Sequence, residues 1–522
     1  MASAPASAYI APPPLTGSAR VWGTLALSAA TFMNVLDTSI ANVSLPAIAG
    51  DLGVSPNQGT WVITSFGVAN AIAVPLTGWL SQRFGQVRLF TASILLFVIT
   101  SWLCGLAPNM TTLIFFRVLQ GLVAGPMIPL SQALLLSSYP KALAGLAMAL
   151  WSMTTLVAPV MGPLLGGWIT DNISWPWIFY INIPVGFGAA FITWSIFHKR
   201  ESATRKLPID SVGLALLVIW VGALQIMLDK GKELDWFHSG EVIALGIVAL
   251  VGLIAFVIWE LTEEHPVVDL TLFKQRNFWA GVVSISVGYG LFFGNVVLLP
   301  LWLQQYMGYT ATQAGMVLAP VGVMALLLSP VVGKNIGKVD PRRFAAFAFV
   351  VFALVLWMRS NFNTQADFTT ILIPTVIQGV AMAFFFIPLM TITLSGLSHE
   401  KIPAASGLSN FVRITAGSFG TSIATTIWQD RATMHHAQIS EYVNQGSVAT
   451  QSALSGLAGA GLTPEQALGS INRLVDQQAY MLAANDVFYA SAAIFLLLIP
   501  LVYLTRRSKP DAGSADAAAG AH

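Results

Sequence analysis

The sequence predicts an all-α polytopic membrane protein, and three observations carry that prediction. Apolar segments of about twenty residues, the length of helix that crosses about 30 Å of hydrocarbon, follow one another from Arg20 to Arg507. Of the 522 residues 55% are hydrophobic and 9% charged, and the mean hydropathy of +0.72 excludes a soluble domain of this length. Only three ionisable side chains lie well inside the apolar segments: Asp37, Arg117 and Arg413. A charge at the centre of a bilayer costs about 2.5–3.5 kcal/mol on the mildest insertion scale, so each marks a place where the protein works. The lone Cys104 excludes an internal disulfide and a cysteine-rich metal site.

Windows of about nineteen residues divide the chain into about fourteen spans. They fall near 20–43, 56–80, 87–107, 110–137, 142–168, 174–197, 209–229, 239–261, 277–304, 311–334, 343–360, 368–397, 403–428 and 486–505. Before them, residues 1–19 are rich in Ala, Pro and Ser and lack the basic start of a signal peptide, which predicts a disordered cytoplasmic tail; 506–522 reads the same way. With the N-terminus inside, 18 basic residues fall in inside segments and 5, Arg359 among them, fall outside. That bias puts both termini in the cytoplasm by the positive-inside rule. Residues 429–485 form an outside loop far longer than its neighbours. Within it Thr463-Pro464-Glu465-Gln466 carries an N-cap, a proline at the first helical position and a glutamine that closes a capping box. Ala467, Leu468, Ile471, Leu474 and Val475 follow at helical spacing, either packed on the protein's own rim or docking a partner.

An internal repeat groups the spans. Pro75-x-x-Gly78 followed by Gly85 and Arg88 recurs as Pro330-x-x-Gly333 followed by Asp340 and Arg343, at an offset of 255 residues that also pairs Ser55 with Thr310 and Gln58 with Gln313. Both copies fall between the second and third helices of a six-helix half, the pattern of parallel repeats about an axis normal to the membrane. This divides the chain into an N-terminal half at 20–197, two inserted helices at 198–276 and a C-terminal half at 277–505.

The buried polar residues have readable chemistry. Asp37 has Asn34 one turn back and Thr38 beside it, so it faces a cavity or a neighbouring helix. A carboxylate whose surroundings alternate between apolar and arginine-bearing can load and release a proton; the competing reading is a permanent ion pair that orients the first helix. Arg117 cannot give up its charge, which suits it to hold a carboxylate, with Gln120 on the same face. Arg413 lies among Ser406, Ser409, Asn410, Gly417, Ser418 and Gly420, a small polar stripe that either packs closely or lines a path. Ala158 to Gly167 holds Pro159, Gly162, Pro163, Gly166 and Gly167, which permit a kink or a tight interface in a membrane helix. Aromatic residues such as Trp151 and Phe384 sit where flat lipophilic ligands bind, although most such residues are core or lipid-facing. The expected substrate cavity is thus Asn34, Thr38, Gln120, Trp151, Asn410 and Phe384. There is no P-loop, and the seven histidines avoid the span centres, so neither ATP drive nor a buried metal is supported and no cofactor is expected.

Five motifs in order resemble the signatures of the major facilitator superfamily, and specifically of its fourteen-helix drug:proton antiporters of the EmrB/QacA type. They are Leu36-Asp37-Thr38-Ser39-Ile40-Ala41-Asn42 through Pro46, Gly78-Trp79-Leu80-Ser81-Gln82-Arg83-Phe84-Gly85, Arg117-Val118-Leu119-Gln120-Gly121, Ala158 to Gly167, and Trp175-Pro176-Trp177-Ile178-Phe179-Tyr180-Ile181-Asn182. The resemblance covers nearly the whole chain except the tails. It departs at Gln82, where the family has an acid, and at Gln86 and Val87, where it has later basic residues. It implies a major facilitator fold of two six-helix halves plus two central helices, and proton-coupled multidrug efflux by alternating access across the inner membrane. Asp37, Arg117 and Arg413 would serve proton coupling, and Gly78, Arg83, Gly85, Pro159, Gly162, Pro163, Gly166 and Gly167 would serve gating, the last cluster marking export. It also implies an EmrA-type periplasmic adaptor and a TolC-like outer-membrane channel as partners. An exporter of fatty acids or an endogenous metabolite is the close alternative. A membrane-embedded enzyme is the other class, for which the acidic group Glu233, Asp235 and Glu241 is the sole candidate site and reads better as solvated loop.

Overall fold

The computed structural model describes residues 13–506 apart from 55, 141, 142, 206, 207, 232, 233, 337 and 445, so most of both expected tails lies outside the described residues. The long helices are α1 (Gly17–Asp51), the bent pair α2 (Trp61–Ala73) and α3 (Thr77–Phe84), α4 (Gln86–Gly105), α5 (Met110–Ala124) continued by α6 (Met127–Ser138), α7 (Ala144–Asn172) and α8 (Asn182–Phe197). Two more follow, α9 (Ser211–Lys230) and α10 (Gly240–Thr262). The remainder are α11 (Arg276–Tyr306), α12 (Ala311–Asn335), α13 (Pro341–Arg359), α14 (Phe368–Leu394), α15 (Ile402–Ser440), α16 (Val448–Gly459) and α17 (Pro464–Tyr503). Among the described residues every regular element is helical.

Ten helices are long and apolar enough to cross a membrane, or eleven with α2 and α3, which meet at 62°, counted as one. The long helices α1, α7 and α15 complete a set consistent with fourteen spans. The bend follows from Pro75, which has no N–H to continue the ladder. The most apolar helix, α10, has only 22% of its span covered by protein, and Leu250, Val251 and Ile258 are each 60% exposed. Such a surface is stable in hydrocarbon and not in water.

Packing repeats in the two sets of six. α1 lies along α7 as α11 lies along α15; α2 packs on α5 as α12 packs on α14; α4 packs on α5 and α8 as α13 packs on α14 and α17. The inserted α9 and α10 pack on each other, with α9 against α2 and α15. The two sets meet where α7 lies on α12 and where α15 lies on α3 and α6.

Glycine sets the closest approaches. In α11 and α15 a Cβ placed on Gly420 would lie 2.0 Å from the Gly290 carbonyl oxygen. Between the sets, at the end of the bundle that bears the chain termini, a Cβ on Gly78 would lie 2.6 Å from Ala404 Cβ, and one on Gly333 would lie 2.8 Å from the Gly145 oxygen. Lipid gives helices no hydrophobic reason to associate, so such contacts carry the dispersion energy of assembly.

Three sequence expectations are confirmed or revised. The outside loop 429–485 is no separate excursion: α15 runs on to Ser440, and α17 is one 40-residue helix from its cap to Tyr503. At 1.5 Å per residue that is about 60 Å, twice the hydrocarbon thickness, so α15 and α17 project together beyond the bundle. The Thr463–Gln466 capping box is present. Of the stripe behind it, Ala467, Ile471 and Val475 are buried, while Leu468 and Leu474 are 55% and 59% exposed. Third, Arg359, expected in an outside loop, is fully buried at the end of α13.

Replacing Gly420 by Val is expected to lower thermal stability in detergent micelles by about 1–3 kcal/mol through overpacking against α11. Gly222→Ala, at a position where a Cβ meets nothing within 4 Å, is expected to leave the melting temperature unchanged or slightly raised.

Candidate functional site

Asp37 and Arg117 are each fully buried and form an ion pair, Arg117 Nη1 lying 2.6 Å from Asp37 Oδ2. The other carboxylate oxygen accepts from Asn182 Nδ2 at 3.0 Å and from Gln120 Nε2 at 3.1 Å. Arg117 also donates through Nε to the Val62 carbonyl at 2.9 Å and through Nη1 to Gln120 Oε1 at 2.7 Å. Its guanidinium carbon lies 4.3 Å from the centre of the Phe66 ring. Asn182 donates in turn to Ser101 Oγ, which donates to the Phe179 carbonyl. Five helices therefore converge on one carboxylate: α1, α2, α4, α5 and α8.

The sequence reading groups Asp37 and Arg117 with Arg413 for proton coupling and puts Gln120 in the substrate cavity; it gives no role to Asn182 or Ser101. Asn182 opens α8 just after the Trp-Pro-Trp motif, where a polar residue reads as the start of a helix. The signal available was its fixed place at the end of that motif. Asn34, expected in the cavity, is buried and donates to the Ala124 carbonyl at 3.2 Å, while Thr38 is half-buried and donates back to Asn34 O.

Arg413 forms a second centre. It is 5% exposed, donates to Asn410 Oδ1 at 2.7 Å, and lies over the Tyr289 and Phe386 rings at 4.4 and 5.5 Å. Asn410 donates to Gln132 Oε1 at 3.0 Å, and Ser406 also hydrogen-bonds that oxygen. Gln132 belongs to the first set of helices and Asn410 to the second, so this chain of amides ties the two sets where the α5–α6 run nears its end and α15 begins. Among the described residues no carboxylate lies within ion-pair distance of Arg413. The aromatics that contact this centre are Tyr289 and Phe386; Phe384 instead packs on Phe344 and Phe347. Trp151 is a core residue whose indole donates to Ser131 Oγ at 3.0 Å.

A cavity of about 1330 Å³ opens at the end of the bundle that bears the chain termini, lined by Ser81, Gln82, Gln86, Met148, Arg205 and Met390 among others. None of the six residues expected to form the substrate cavity is on its wall. The contacts of Gly78 with Ala404 and of Ser406 with Gln132 lie between it and the two arginine centres.

The expected gating residues cluster by helix pair. Gly162 and Gly166 press on α1, where Cβ atoms would lie 2.3 Å from Ser39 Oγ and 2.8 Å from Ile40. Ser39 Oγ donates to the Pro159 carbonyl at 3.0 Å. Gly167 is half-buried on the same unbroken helix, and the side chain of Pro163 lies outside the described residues. The segment thus builds a tight interface. Arg83 lies 5.4 Å over the Trp79 ring. Gly85 has φ +90 and lets Glu201 approach the start of α4. There Glu201 accepts from the Val87 and Arg88 amides at 3.0 and 2.9 Å. A carboxylate at a helix N-terminus satisfies orphan N–H groups and the dipole, so Glu201 supplies an acid to a loop whose motif has Gln82.

The profile described as the Major Facilitator Superfamily matches residues 27–421. The chain is 53% identical over 510 residues to the multidrug export protein EmrB of Escherichia coli (strain K12), covering 98% of this chain and 99% of that one. It is 50% identical over 494 residues to the fatty acid resistance protein FarB of Neisseria gonorrhoeae, covering 95% and 97%. Among solved structures, the human organic anion transporter MFSD10 (TETRAN) superposes with a TM-score of 0.59 at 11% identity, over 93% of this chain and 100% of that one, a likeness of fold.

Breaking the ion pair from one side leaves a buried charge unmatched, which costs about 3–5 kcal/mol. Asp37→Leu is therefore expected to lower the melting temperature of the purified protein clearly, and the double variant Asp37→Leu/Arg117→Met to restore most of the loss.

Proposed function

The chain belongs to the major facilitator superfamily and is a multi-pass membrane transporter, and from that premise we propose that it exports lipophilic drugs across a bacterial inner membrane in exchange for protons. The observation that carries the reading is the buried Asp37–Arg117 pair with its amide ligands. Protonating Asp37 removes the ion pair, yet Arg117 keeps the Val62 carbonyl, Gln120 Oε1 and the Phe66 ring. Asn182, the other amide that holds the carboxylate, carries an oxygen that can accept from a protonated carboxyl after rotation. The site can thus cycle between two protonation states without leaving its arginine bare.

Coupling requires that the two states bias the arrangement of the two sets. α1 carries Asp37 and is pressed along α7, and α7 meets α12 of the other set at the Gly145–Gly333 contact. A displacement of α1 is passed along a glycine-lined seam to the closed end. Inward movement of one proton releases about 2.3 kcal/mol per 100 mV, plus about 1.4 kcal/mol per pH unit, enough to concentrate a substrate tenfold to several-hundredfold. On the charge bias, which puts the end bearing Gly17 and Tyr503 at the cytoplasm, the contacts of Gly78 with Ala404 and Gly145 with Gly333 close the path at that side.

A second reading, export of fatty acids or an endogenous acidic metabolite, is favoured by Arg413, a buried cation with neutral ligands that suits an acidic head group, and by the similarity to FarB. In either case the projecting α15–α17 pair, with Leu468 and Leu474 exposed on either side of the packed stripe, offers apolar contact points to a periplasmic adaptor of the EmrA type and through it a TolC-like outer channel.

Three tests bear on these claims. Cells expressing the protein are expected to exclude a panel of lipophilic compounds only while the proton gradient stands; export that persists in an uncoupler removes proton coupling. Asp37→Asn is expected to bind substrate but not to move it uphill in proteoliposomes. Leu468→Asp with Leu474→Asp is expected to spare transport in proteoliposomes and abolish adaptor co-purification and resistance in cells, and undiminished co-purification would remove this surface from docking.

A further inference from the structure

The C-terminal set of helices contains a third buried arginine with no assigned role. Arg359 at the end of α13 is 0% exposed and donates only through Nη2, to Gln378 Oε1 at 2.6 Å and Thr375 Oγ1 at 3.0 Å. Its Nε and Nη1 have no partner.

Internal symmetry shows what is missing. Trp102-Leu103-Cys104 matches Trp357-Met358-Arg359 at an offset of 255, and Arg117-Val118-Leu119-Gln120-Gly121 matches Thr375-Val376-Ile377-Gln378-Gly379 at 258. In the first set Cys104 contacts Gln120; in the second, Arg359 contacts the equivalent Gln378. The guanidinium has moved from α5 to the partner helix while keeping the same glutamine. Leu45-Pro46 matches Leu299-Pro300 at 254, which places Leu291 where the first set has Asp37. The second set therefore keeps the cation and lacks the anion.

Among the described residues no nearby acid replaces it. Asp367 is exposed at the N-cap of α14, where the Thr370 hydroxyl and amide hold its carboxyl below the usual carboxylate range. On α17, Asp486 pairs with His435 and Arg431, and Asp476 pairs with His436. A buried guanidinium with two unpartnered nitrogens, three N–H groups in all, and no counter-ion is strongly unfavourable. Water would satisfy the hydrogen bonds but leave the charge.

We propose that Arg359 holds a small monovalent anion of the halide class, the counter-ion that Asp37 supplies in the other half. The anion sits against Nε and Nη1 and stabilises the folded C-terminal set by binding it and not the unfolded chain. Access is short, because Arg359 is followed directly by the loop at 360–367.

The test measures thermal unfolding of the purified full-length protein in sodium gluconate against increasing sodium chloride or bromide at constant ionic strength. A saturable rise of about 3 °C is expected for the wild type. It should vanish in Arg359→Gln and also in Leu291→Asp, which restores a carboxylate at the position equivalent to Asp37. Bromide-soaked crystals of the wild type should show an anomalous peak on the guanidinium. A wild-type melting temperature indifferent to halide, a halide response that survives in either variant, or a guanidinium without a bromide peak would each overturn the proposal, leaving buried water as the filler.

Discussion

The ion pair between Asp37 and Arg117 organises the first half of the molecule. In a medium without water neither charge is tolerable alone, so every helix able to donate or accept is drawn to the pair: α2 through Val62 O, α5 through Gln120, and α8 through Asn182. Because α1 is fixed by its carboxylate, its neighbours inherit a register. Ser39 and Ile40 then lie where Gly162 and Gly166 of α7 leave room. Charge satisfaction and close packing are thus one constraint expressed twice along α1.

Backbone proximity carries the rest. Gly290 with Gly420 inside one set, and Gly145 with Gly333 between the sets, put main chain against main chain. Contacts of this kind are bistable: a helix either fits the glycine groove or leaves it, since a packed interface does not deform smoothly. The polar tie between the sets, from Gln132 to Ser406 and Asn410, is made of neutral amides and a hydroxyl. Neutral groups exchange one partner for another at modest cost, so this tie is of the kind that a rocking motion can break and remake.

Most of the helical rods were legible because a bilayer imposes a length and a composition that a window average can see. The cap at Thr463 was legible because capping is local chemistry. What escaped has a common cause. Arg359 ends a span, where hydropathy cannot distinguish a side chain that reaches water from one folded back between helices. Ser101 and Asn182 are neutral, so their cost of burial is small and their pattern weak. Glu201 acts on a helix start more than a hundred residues away in the chain, a contact no local rule contains. The continuity of α17 was hidden because its first half is polar, while backbone hydrogen bonding does not depend on which face meets lipid. Of the six expected cavity residues, Gln120 and Asn410 join the two arginine centres, whereas Trp151 and Phe384 obey the ordinary fate of large aromatics, which is to fill core.

The two sets share a scaffold and differ in charge, and that difference bears on how a proton can do work. In the first set the carboxylate touches the arginine, so adding a proton to Asp37 changes a neutral pair into a net positive one. In the second set the groups that hold Arg359 and Arg413 are Thr375, Gln378 and Asn410, with the Tyr289 and Phe386 rings, and no carboxylate or imidazole is among them. Their charge stays constant through a cycle. On the proposed reading the electrical event is therefore confined to one half, and the other half responds through the seam of α7 on α12 and the tie at Gln132. Proton binding then shifts the arrangement of the two sets only in so far as Asp37 binds its proton more tightly in one arrangement than in the other, since a ligand without differential affinity shifts no equilibrium.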